Sequence, residues 1–157
     1  RLLRLADDLR KGKVFSEGAT FTPQWDADLK RYEERSRDAY ARLDETVQYA
    51  DIEKIRFLFA YADPILSQKP APRHLKANYG STVDVIITIF APPVRNYILD
   101  GMNDRFAVVP FVQTLGGGGR QNMGGFTVDN EVKPDEFPRY ITSLQERIKE
   151  YLHSRSA

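Results

Sequence analysis

The sequence predicts a mixed α/β fold: a three-layer sandwich around a small mixed sheet, preceded by a long amphipathic helix. Three observations carry this expectation. A highly charged stretch with helical periodicity occupies residues 22–48. Three short apolar runs follow it, "KIRFLFAY", "TVDVIITIF" and "RFAVVPFVQTL". A second helical stripe closes the chain. In each apolar run both alternating positions are largely apolar, as in strands covered on two faces rather than one. The competing architecture is an α+β antiparallel meander backed by helices.

Taken in order, residues 1–21 read as a helical arm and connector. Leu2, Leu3, Leu5, Ala6 and Leu9 share one helix face, which Gly12 ends. Thr22 is the expected N-cap of the long helix and Pro23 its first residue, where a missing N–H costs nothing. Trp25, Leu29, Tyr32, Ser36, Ala39, Leu43 and Val47 recur at spacings of three and four, making a narrow apolar stripe. Asp26 with Lys30, Glu33 with Arg37 and Asp38 with Arg42 are acid-before-base pairs four apart on its solvated faces. So narrow a stripe is read first as packing onto the sheet, with a seam against a second helix, such as that of another copy of the chain, as the alternative that Ser36 and Ala39 permit by close approach.

Residues 51–157 are expected to form the sheet core and the closing helix. "IEKIRFLFAYA" is ambiguous, since Ile52, Ile55, Phe59 and Ala62 also fit a helical period with Asp51 as cap. Asp63 to Ser81 reads as a long connection carrying Arg73, His74 and Lys76. In "APPVRNYILDGMND", Pro93 can start a helix with Val94, Tyr97, Ile98 and Met102 on one face, giving a right-handed βαβ crossover. The other reading is a strand from Val94 to Leu99 with a turn at Asp100-Gly101. Phe137, Tyr140, Ile141, Leu144, Ile148, Tyr151 and Leu152 form the closing amphipathic stripe.

The length of 157 residues suits a single soluble domain, 1–157, read as part of a longer protein because it starts at Arg1. A net charge of +1 supplies no overall field to recruit nucleic acid. Arg1, Arg4, Arg10, Lys11 and Lys13 are read as solvated charge, with an adjacent membrane segment outside this chain as the alternative. There is no cysteine, which excludes disulfides and thiolate chemistry and suits a reducing, cytoplasmic setting. With only His74 and His153 as imidazoles, a multi-histidine metal centre is excluded, and no cofactor is expected.

"LGGGGRQNMGGFTV", residues 115–128, is the least ordinary stretch, and two readings of it stand. Gly117, Gly118 and Gly119 would let backbone donors approach an anion, Arg120 would grip it with a planar fork, and Asn122 would read a polar edge, with Arg73 arriving from the long connection. Alternatively the stretch is a mobile hairpin connection. Neither a P-loop nor a dinucleotide fingerprint is present. If the three apolar runs are parallel, their carboxyl ends share a rim where α/β folds bind ligands. Asp63, at the end of the first run, is a weak catalytic candidate against a turn-forming Asp-Pro. His74, a lone imidazole, is another. Asp84 is expected at the opposite edge. Arg147 and His153, six apart, are not read as a ribonuclease pair.

These observations predict a non-enzymatic sensing or interaction module, binding a small anionic ligand such as a nucleotide at the glycine-rich loop and associating through helix 22–48. The alternatives are an enzyme on a phosphorylated or nucleotide substrate, using Asp63 and His74 with Arg120 stabilising charge, and a structural assembly domain without a ligand.

Overall fold

The computed structural model describes residues 23–66 and 69–156. The expected arm around Leu2 to Leu9 with its Gly12 end, the basic cluster and the Thr22 cap therefore lie outside the described residues. The chain divides into two compact units, residues 1–39 and 40–157. Helix α1, Pro23–Glu45, begins in the first and ends in the second. Along it Tyr32, Ser36, Ala39 and Leu43 are buried while Trp25 is exposed, so the middle of the expected stripe is the covered part.

The second unit is built on a six-stranded mixed sheet: β1 Gln48–Ile52, β2 Ile55–Ala62, β3 Val85–Phe90, β4 Asn96–Gly101, β5 Gly118–Arg120 and β6 Met123–Thr127, in the order β1-β2-β3-β4-β6-β5. Only β2 and β3 are parallel, and helix α2, Pro70–Tyr79, lies between them in sequence. Every other pair is antiparallel. Helix α3, Val108–Thr114, precedes the β5–β6 hairpin, and helix α4, Phe137–Ser156, closes the chain.

Alternation divides the apolar residues between two faces. Phe57, Phe59, Tyr61, Val85, Ile87, Ile89, Tyr97, Leu99 and Phe126 point into one cluster with Val108, Phe111 and Val112 of α3 and Phe137, Ile141, Leu144 and Ile148 of α4. Leu58, Ala60, Ala62, Ile86, Thr88 and Phe90 are buried on the other face, where α2 packs against β3. Helices thus lie on both faces of a mixed sheet, as the composition of the central runs required.

The connectivity departs from expectation at three places. "RFAVVPFVQTL" is not a strand: Val108, Phe111 and Val112 meet the core at helical spacing as α3. Pro110 is its third residue, inside the first turn, where no intrahelical N–H bond is lost; mid-strand it would have broken the ladder. Conversely, the segment read as a helix from Pro93 is β4. Tyr97 and Leu99 enter the core on one face of it, while Ile98 and Asp100 lie on the other. β3 and β4 are antiparallel, so the expected crossover there is absent. Asp100 and Gly101 end the strand rather than forming a turn. Three parallel runs sharing one rim are therefore replaced by a single parallel pair. The long connection also contains α2, and β1 makes a hairpin with β2 that resolves the ambiguous "IEKIRFLFAYA" as strand.

Candidate functional site: a groove beside the glycine hairpin

The glycine-rich stretch is structured from its first residue. At the end of α3, Gly116 adopts φ 83°, and the N–H groups of Gly116 and Gly117 donate to the carbonyls of Gln113 (3.2 Å) and Val112 (2.8 Å). This pair of bonds is a Schellman ending, which needs a left-handed residue at Gly116's position. The chain then makes β5, turns through Gln121 and Asn122, and returns as β6. The reading of this stretch as a hairpin connection describes its geometry; Gly118, Gly119, Gly124 and Gly125 lie within the strands themselves. A β-carbon on Gly124 would fall 2.8 Å from Val112 Cγ2, so the bare backbone lets α3 lie close against β6.

Asn122 is tied into this frame. Its Oδ1 accepts the Val108 N–H at the start of α3 (3.0 Å), and its Nδ2 donates to the Asn103 carbonyl (2.7 Å). One side chain thereby caps a helix and ties down a loop.

On the sheet face away from α3 and α4, a groove of about 500 Å³ crosses β4 and β6, within the usual size of a ligand pocket. Register explains its lining: Asn96 lies opposite Thr127, and Ile98 opposite Gly125, so all four share a face. Met123, 43% exposed, and the backbone of Gly116-Gly117 extend the wall. Ile98 and Met123 offer apolar area to a flat ring, and Gly125 adds no side chain above it. Thr127 Oγ1 donates to Asn96 Oδ1 (2.9 Å), leaving the Asn96 amide nitrogen to donate elsewhere.

Lys69, at the start of α2, is the cation of the groove. Pro70 and Pro72 carry no N–H, and the N–H of Arg73 bonds the Lys69 carbonyl (3.1 Å). The helix start therefore offers an anion chiefly the Lys69 ammonium rather than a fan of amides. Further along the same strand face, burial pushes the Asp100 carboxyl above its ordinary range, partly opposed by the charge of Lys76.

Of the residues singled out from the sequence, Gly117 lines this groove. Gly118, Gly119 and Arg120 form the exposed edge strand β5, and Arg73 is exposed on α2. Asp63 opens a turn: Oδ1 accepts the Ile65 N–H (3.0 Å) and Oδ2 pairs with Arg42 (2.9 Å). His74 Nε2 meets Asp44 Oδ1 at 2.9 Å, its ring lies 4.7 Å from that of Tyr40, and Tyr79 donates to the same carboxylate oxygen (2.9 Å). Asp84, at the other end of the parallel pair, accepts the Arg56 N–H (2.8 Å) and the Asn103 amide (2.8 Å), and these bonds hold its carboxyl below the ordinary range, aided by Arg105. Sequence reasoning passed over Lys69, Asn96, Ile98, Met123, Gly125 and Thr127. The alternative reading of Val94 to Leu99 as a strand was the signal that reached Asn96 and Ile98.

Among the described residues, no helix is long and apolar enough to cross a membrane, and no three His, Asp or Glu gather to hold a metal. No family model and no curated protein matches the chain. Among solved structures, it is similar to an uncharacterized protein from Helicobacter pylori G27, at 18% identity and a TM-score of 0.46 over 90% of this chain and 38% of that one. It is also similar to the pGpG-specific phosphodiesterase PggH from Vibrio cholerae, at 12% identity and a TM-score of 0.46 over 82% of this chain and 44% of that one. The chain spans less than half the length of either.

Proposed function

We propose that the chain is a binding module of a larger protein, holding a small anionic ligand with a flat ring, of the nucleotide class, in the groove over β4 and β6. The observation that carries the reading is the pairing of Ile98 with Gly125 beside Lys69: an apolar floor with no side chain on one half and a cation at its end. A ring would lie on Ile98 and Met123, the Asn96 amide would donate to its polar edge, and Lys69 would neutralise a phosphate or carboxylate. Signalling requires that the occupant favour one arrangement of its surroundings over another. The enzymatic alternative has less support, because Asp63 and His74 are each bonded to a different residue of α1, Arg42 and Asp44.

Thermal stabilisation across a panel of nucleotides and phosphorylated metabolites tests the reading. For a ligand that raises the melting temperature, Lys69→Gln is expected to weaken binding about tenfold, the worth of one charge-assisted contact. Arg120→Ala, outside the groove, is expected to leave affinity unchanged. Equal affinity for wild type and Lys69→Gln removes the groove from the mechanism, and loss confined to Arg120→Ala moves the site to the hairpin edge.

A further inference from the structure

The chain has no cysteine, and its sulfur resides in two methionines, Met102 and Met123. An oxidant that attacks sulfur therefore has these two targets. Their surroundings differ. Met102 is half-buried, and its Sδ lies 3.1 Å from the point that a β-carbon on Gly80 would occupy, against the end of α2. Met123 is 43% exposed and forms part of the groove wall. Register explains that exposure. Residues opposite one another project from the same face, and Met123 stands between Asp100 of β4 and Arg120 of β5. The next positions on this face along β5 and β6, Gly118 and Gly125, carry no side chain, and the space over Gly118 is open. The thioether is thus flanked by two charged groups and by gaps rather than covered by an apolar layer.

We infer that Met123 is an oxidation site through which hydrogen peroxide, or another hydroperoxide, loosens the groove's hold on a flat ring, given that the groove holds one as proposed above. The thioether sulfur attacks the outer oxygen of the peroxide. An S–O bond forms as the O–O bond breaks, and the departing hydroxide takes up the proton and leaves as water. Sulfur loses the two electrons that the peroxide gains, so the step needs no further reactant. The product, methionine sulfoxide, is polar, and its oxygen accepts hydrogen bonds. A ring lying on Ile98 and Met123 then loses its contact with sulfur. The row from Asp100 through Met123 to Arg120 becomes polar from end to end. Conversely, an occupant lying on Met123 shields the sulfur, so binding and oxidation oppose each other.

The test treats the whole chain with hydrogen peroxide and follows each methionine by peptide mass spectrometry. Anilinonaphthalene sulfonate, which joins flat rings to an anion, serves as the fluorescent probe of the groove. Met123 is expected to gain oxygen faster than Met102, and saturating probe is expected to slow that gain. The oxidised chain should bind the probe about fivefold more weakly, the worth of a sulfur–ring contact. Met123→Leu, close in volume, should bind like wild type before peroxide and lose nothing after it. A methionine sulfoxide reductase supplied with dithiothreitol should restore the wild type. Met102 oxidising as fast as Met123, or an equal loss of affinity in Met123→Leu, would overturn the site. Unchanged affinity after Met123 is oxidised removes the regulation and leaves the groove standing, provided that Lys69→Gln weakens the probe. If Lys69→Gln binds the probe as wild type does, the groove reading fails and the regulation falls with it, even where Met123 oxidises first.

Discussion

At one edge of the sheet β1 and β2 turn through Glu53 and Lys54; at the other, β5 and β6 turn through Gln121 and Asn122. Both connections are two residues long, yet their chemistry is opposite. The first hairpin contains no glycine, and both turn residues sit in the left-handed region, at φ 50° and 69°. Side chains hold it: Ile52 faces Ile55, both buried, and Arg56 Nε donates to Asp51 (2.9 Å). In the second hairpin, three of the four strand glycines, Gly119, Gly124 and Gly125, sit where a side chain would strike a neighbouring strand or α3, while Gly118 faces open space. A β-carbon at Gly119 would lie 2.1 Å from the Met123 carbonyl oxygen. The contrast teaches that the glycines of this chain answer to close approach of backbones more than to turning.

The sharpest way to break the second hairpin is therefore a single methyl group. Gly119→Ala is expected to cost about 3 kcal/mol in denaturant unfolding, the upper end of ordinary single substitutions. A cost below about 0.5 kcal/mol would mean that the strands have room and that the contrast is one of composition only. The first hairpin should respond in the other direction. Lys54→Gly relieves a left-handed side-chain conformation and is expected to add about 1 kcal/mol of stability, read as a rise in denaturation midpoint at constant slope. The smallest effect is that of acid. The Arg56 bond lowers the Asp51 pKa below 3.8, so its stabilising contribution is complete above that value and is lost as pH falls through the folded-state pKa. As pH falls below about 4, and not above it, amide exchange of β1 is expected to quicken relative to β5, which has no carboxylate pair to lose.

Much of the fold was legible. The apolar cores of "KIRFLFAY" and "TVDVIITIF" are β2 and β3, buried on both faces, and the closing stripe is α4, because long periodic patterns record burial directly. What misled was local. Hydrophobic continuity alone carries the strand reading of "RFAVVPFVQTL", and it leaves out Pro110, which argues against a strand. Pro92-Pro93 resembled a helix start, and the unbroken apolar triplet Tyr97-Ile98-Leu99 hides the alternation of faces that β4 makes when folded. Those two exchanges, strand for helix and helix for strand, changed the connectivity and removed the shared rim while keeping the layers. For the site, Gly117 was recognisable by composition. Lys69, Asn96 and Thr127 were not, because they meet only through the β4–β6 register and the placement of α2, contacts between segments distant in the chain. Asn122 was noticed for its polarity, and its role as a cap at Val108 emerges only with the chain folded.

Tyr97 and Phe126, paired across β4 and β6, border both the open groove and a small cavity behind it, between the sheet and α4. One thickness of polypeptide is all that divides the two compartments. A substitution at either ring therefore alters both walls at once, and a variant of this pair reports on the two sides together.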